Sequence, residues 1–94
     1  MKHIDYNPNN MQRNVVGPRV RQARRLAGPH VSQVDLAARL QILGLKIDQS
    51  AVSKIEQGHR PVLDLEVVAL AKALRVSVTW LLGEIDTSTE IPDK

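Results

Sequence analysis

Residues 50–60 read SAVSKIEQGHR. Val52 and Ile55 are three apart and fall on one face of a helix, while Ser50, Ser53, Lys54 and Gln57 point elsewhere. Gly58 follows, able to take the left-handed conformation that ends a helix. Asp48, two residues upstream, is a good N-cap, so the spacing predicts a short helix over 49–57. Its outward face carries small hydroxyls and one ammonium, and His59 and Arg60 come directly after it. Such a face is either plain solvated surface or one built to approach another polar molecule.

Outward from this stretch the pattern stays helical. Val16, Val20, Ala23 and Ala27 form an amphipathic stripe closed by Gly28-Pro29, and Pro18 is tolerated because first-turn amides lack an intrahelical partner. Of Arg19, Arg21, Arg24 and Arg25, spread around this helix, at least one is expected to point inward. Ser32 caps a second helix beginning at Gln33, with Leu36, Ala37, Leu40 and Leu43 as its buried stripe and Gly44 as its stop. Leu45 and Ile47 are expected to plug the core before Asp48. Asp64 is expected to cap a fourth helix over 65–74, with Leu63 and Val68 as a hydrophobic staple. Ser77 caps a short fifth helix over 78–82, closed by Gly83. No sustained two-residue alternation bounded by hairpin turns occurs, so the fold class is all-α with five helices. The domain is placed at 14–83, between a flexible arm at 1–13 and a flexible tail at 84–94 that are poor in core residues.

Ninety-four residues support one domain and one modest core. The hydrophobic share is 43% with no Phe, one Tyr and one Trp, so that core is aliphatic. With no cysteine, disulfides and thiolate metal sites are excluded, and the simplest address is the cytoplasm. No apolar run approaches the ~18 to 20 residues of a membrane span. Charge is lopsided: residues 1–60 hold ten Lys or Arg against four Asp or Glu, and residues 61–94 hold three against six. The basic half is the candidate face for a polyanion.

VSQVDLAARL (31–40), SAVSKIEQGHR (50–60) and DLEVVALAKALRVSVTWLLG (64–83) together resemble the helix-turn-helix domain of phage-repressor-type (Cro- and Xre-like) regulators. The resemblance covers residues 15–83 and implies a five-helix, lambda-repressor-like domain whose helix 49–57 lies in the major groove of double-stranded DNA. Major-groove edges demand short polar groups near a helix N-terminus, and Gln49, Ser50, Ser53 and Lys54 supply them, with Ala51 small enough for a thymine methyl. Gln33, Lys46, His59 and Arg60 are the expected phosphate contacts. The resemblance also implies a structural ion pair between Arg24 and Glu56, if residues 29 and 30 are an insertion. The departure is the turn: QILGLKIDQ, nine residues, separates Leu40 from Ser50, about five more than a short helix-turn-helix connection supplies.

The function expected is a sequence-specific transcriptional regulator, a repressor acting as a homodimer on an operator. Val76, Val78, Trp80, Leu81, Leu82 and Ile85 exceed what one short helix buries, which predicts an exposed apolar patch that a two-fold dimer would cover. An antitoxin-like or adaptor module, binding a protein partner through residues 1–13 and 84–94, is the alternative. An enzyme is not expected: His3, His30 and His59 form no metal-ligand motif, and Gly28, Gly44 and Gly58 are helix stops. No cofactor is expected.

Overall fold

The computed structural model describes residues 12–86. Five helices follow one another: α1 (Gly17–Leu26), α2 (Gln33–Ile42), α3 (Gln49–Glu56), α4 (Asp64–Leu74) and α5 (Val78–Leu81). No strand occurs among the described residues, and none of the helices is long and apolar enough to cross a membrane.

Local chemistry explains most of the starts. Ser32 accepts the Asp35 amide at 3.0 Å while the Asp35 carboxylate takes the Ser32 amide, a reciprocal capping box that holds the Asp35 carboxyl below its ordinary value. Asp48 accepts the Ala51 amide at 2.9 Å, and Ser77 accepts the Trp80 amide at 3.1 Å. α1 begins differently: Asn14 Oδ1 takes the Gly17 amide at 2.8 Å.

α4 starts one residue earlier than expected. Leu63 is its N-cap, Asp64 is already helical, and the Leu63 amide is satisfied at 3.0 Å by Glu66 reaching back. Leu63 and Val68 remain exposed, so the expected staple does not enclose them. α4 is instead the central helix, packed against α1, α2 and α5, with Val67, Ala69, Leu70, Ala71, Ala73 and Leu74 buried.

The core joins Val16, Val20 and Ala23 of the α1 stripe to Leu36, Ala37 and Leu40 of α2, Val52 and Ile55 of α3, and Trp80 and Leu81 of α5. Leu43, expected in the α2 stripe, is exposed because the helix stops at Ile42 and the backbone turns through Gly44 at φ +98°. Ile47 is buried and Leu45 half-buried against the core, as expected for residues that plug it before Asp48.

The apolar patch expected around the fifth helix is absent. Val76, Trp80 and Leu81 are buried, Val78 and Leu82 pack against the core, and only Ile85 of that set is exposed. The Arg19 guanidinium lies 4.7 Å from the Trp80 ring centroid and donates to the carbonyls of Trp80 (3.1 Å) and Ile85 (3.0 Å). Contacts with the bundle thus extend past Gly83 to Asp86, which Arg19 also meets at 3.4 Å. At the other end, the Arg13 amide donates to the Gly58 carbonyl at 2.8 Å, so ordered contacts begin before residue 14. The remainder of both expected flexible segments, residues 1–11 and 87–94, lies outside the described residues.

Candidate nucleic-acid interface

α3 is held from beneath by a carboxylate. The Glu56 side chain is fully shielded from solvent, and Arg24 from α1 meets it with two donors, Nε to Oε2 at 2.5 Å and Nη2 to Oε1 at 2.9 Å. Arg24 Nη1 also donates to the Val31 carbonyl at 3.0 Å, tying the pair to the segment that enters α2. Arg21 adds a longer contact at 3.4 Å and Gln33 a hydrogen bond at 3.0 Å. Burial pushes the Glu56 carboxyl up, but the donors from Arg24, Gln33 and Arg21 outweigh it and hold the group below its ordinary value. The same bond raises the Arg24 guanidinium. Both members of the pair are thus charged and satisfied.

The carboxylate also sets the orientation of two amides in series. An ionised carboxylate only accepts, so Gln33 must turn its NH2 toward Glu56 and its oxygen away. That oxygen accepts from Gln49 Nε2 at 2.7 Å. Gln49, the first residue of α3, is exposed and retains its carboxamide oxygen and one N–H.

Ser50 and Lys54 are exposed along with Gln49. Ala51 is half-buried and packs against the core. Ser53 is also half-buried, and its hydroxyl accepts from Gln57 Nε2 at 3.1 Å. Of the five residues expected to meet bases, three therefore stand fully outward, and two sit on the flank of the helix.

The expected phosphate contacts divide similarly. Lys46 is exposed at the edge of an open concavity formed with Gln41, Gly44, Leu45 and Asp48. His59 is exposed directly after α3, its amide bonded to the Lys54 carbonyl at 2.9 Å. Gln33 has its oxygen and one N–H committed to Gln49 and Glu56. Arg60 departs furthest from expectation: Nη1 and Nη2 meet the two oxygens of Glu66 at 2.8 and 3.0 Å, and Nη1 also donates to the Pro61 carbonyl. That bond holds the Glu66 carboxyl below its ordinary value and raises the Arg60 guanidinium. A guanidinium so committed fastens the α3–α4 connection to the start of α4.

Sequence reasoning did not find Asn14. Its Nδ2 donates to the Ile55 carbonyl at 3.1 Å and the Arg60 carbonyl at 2.8 Å, so one amide joins the start of α1 to the end of α3. Gly17 permits the approach, because a Cβ there would stand 2.3 Å from the Ile55 carbonyl oxygen. Neither contact has a signal in local spacing. The Ser32-x-x-Asp35 capping box did have one, in the separation of its two members.

No curated protein and no solved structure matches the chain significantly. A family model described as Helix-turn-helix matches residues 20–81, from the middle of α1 through α5. The chain thus belongs to the Cro/C1-type helix-turn-helix family and is a DNA-binding helix-turn-helix regulator.

Proposed function

We propose that the protein is a sequence-specific repressor that reads the major groove of double-stranded DNA with α3. The observation that carries this reading is the braced glutamine at the head of α3. Gln49 keeps one acceptor and one donor outward while Gln33 holds its other N–H, and that pair of groups matches the N6 donor and N7 acceptor of adenine. Lys54 donates to guanine, Ser50 is a permissive partner, and Ala51 and Ser53 face the groove wall from the flank. Lys46, His59 and the remaining Gln33 N–H meet phosphates. Arg60 we assign to the Glu66 pair.

Two copies act together. Bidentate base contacts supply ~1 to 3 kcal/mol each, so one short reader falls toward the lower part of the ~4 to 10 kcal/mol that separates specific from non-specific binding. A homodimer on a two-fold operator doubles the count and sets two α3 helices ~34 Å apart. With Trp80 and Leu81 buried, α5 and the residues beyond it offer a second copy only the partly exposed Val78 and Leu82 and the exposed Ile85.

Selection of bound fragments from random DNA tests the reading, and a palindromic consensus is expected. On that site Gln49→Ala and Lys54→Ala should each lose ~1 to 3 kcal/mol, with little change on scrambled duplex. Absence of enrichment, or variants that bind the consensus like the parent, would refute it.

A further inference from the structure

The segment before α1 is fastened along the exit from α3. The Arg13 amide donates to the Gly58 carbonyl at 2.8 Å, and the Asn14 side chain donates to the carbonyls on either side, Ile55 and Arg60. Gln12 side-chain carbons lie within 3.5 Å of where a Gly58 Cβ would stand. Residues 12–14 thus form a strap against the last turn of α3 and residues 58–60, next to the exposed His59, whose amide donates to the carbonyl of the exposed Lys54.

From this strap we infer that Arg13 is a DNA phosphate contact, held in place by the Asn14 amide; the inference rests on the reading of α3 as the groove helix. Arg13 is exposed, and among the described residues its guanidinium has no acidic partner, whereas Arg19, Arg21, Arg24 and Arg60 all meet carboxylates. The nearest acid in α3, Glu56, is enclosed and already satisfied. A cation whose backbone is bonded in place loses less freedom on meeting an anion than one on a free chain. Its place fits the sugar–phosphate backbone and not a base edge: base readout concentrates at the N-terminal end of a reader helix, and Arg13 sits at the C-terminal end. His59 and Arg13 then form a pair of donors to the DNA backbone beside the exit of α3, with Lys54 left to the base edge.

The test compares the parent with Arg13→Ala and Arg13→Lys on the selected duplex and a scrambled one, at several salt concentrations. Loss of one phosphate contact makes the slope of log K against log salt shallower by ~0.9, and the counterion term alone weakens binding about eightfold at 0.1 M salt. Both duplexes should lose equally, Arg13→Lys should keep the parent slope, and melting without DNA should not move. Arg13→Ala with parent slope and affinity overturns the inference while leaving the α3 reading intact. Loss confined to the selected duplex overturns it in favour of a base contact. A parent that binds neither duplex overturns the α3 reading and this inference together.

Discussion

Replacing Arg24 by Ala should damage the fold before it damages DNA binding. The change removes both donors to Glu56 and the bond to the Val31 carbonyl. Glu56 stays buried, left with Gln33 at 3.0 Å and Arg21 at 3.4 Å. Breaking one side of a buried pair costs ~3 to 5 kcal/mol, and because Arg21 is near enough to shift inward, the lower end, ~3 kcal/mol, applies. For a domain of this size each kcal/mol moves the midpoint by ~4 to 8 °C, so thermal melts followed by circular dichroism without DNA should fall by roughly 12 to 24 °C. A second variant separates the pair's worth from the penalty of an orphaned charge. Arg24→Met with Glu56→Leu removes both charges and should recover most of the loss, since well-packed apolar replacements of buried pairs are often neutral. If Arg24→Ala melts within ~2 °C of the parent, well under the shift of even one kcal/mol, yet binds DNA weakly, Arg24 is a DNA contact and the bracing argument is wrong.

Arg60→Ala should lower the melting midpoint by at least roughly 4 to 8 °C, since about 1 kcal/mol is the upper range for an exposed pair and here Glu66 is buried and would be left without its guanidinium, and leave the salt slope of DNA binding unchanged; a shallower slope would return Arg60 to the phosphate contacts. Acid should destabilise the domain from the carboxylate range downward. Glu56 and Glu66 both have folded values below their ordinary 4.5, so the unfolded chain takes up protons first and their stabilisation, complete above that value, is lost as pH falls through the folded values. Melts from pH 7 to pH 3 should therefore be level at first and then decline, and a midpoint constant down to pH 3 would refute this.

What the sequence made legible was mostly local. The caps at Ser32, Asp48 and Ser77, and the stripes Val16–Val20–Ala23 and Leu36–Ala37–Leu40, depend on residues within a turn or two of each other. Leu43 was misplaced because a stripe extrapolates past the point where a left-handed glycine turns the chain. Asp64 was misplaced because Glu66, reaching back to the Leu63 amide, satisfies the start of α4 from inside the helix. The α5 patch failed for a long-range reason: Val76, Trp80 and Leu81 pack into the core shared with α1 and α4, and Arg19, sixty-one residues before Trp80, stands over its ring. Arg60 shows the same limit in the candidate interface. Its position after α3 suggested a phosphate, and the Glu66 carboxylate that folds beside it gives it a second partner that no local spacing signals.

The lengthened turn shows what orients α3. Six residues, 43–48, separate α2 from α3, where the shorter connection of a helix-turn-helix motif would restrict their angle by its own geometry. Lengthening a flexible connection is cheap, ~0.6 kcal/mol for each doubling, so entropy gives little reason against the insertion. The price would be lost orientation, unless other contacts supply it. Those contacts lie at both ends of α3. At the head, Gln49 donates to Gln33, and that same Gln33, with Arg24, donates to Glu56 of the last turn. At the exit, Asn14 takes the Ile55 and Arg60 carbonyls, and Gly17 lets α1 abut the last turn. Between them Val52 and Ile55 are buried without exposure, and Ile47 anchors the connection itself. With polar contacts from α1 and α2 and apolar contacts below, the direction of α3 follows from its neighbours, and the turn is left only to span the distance.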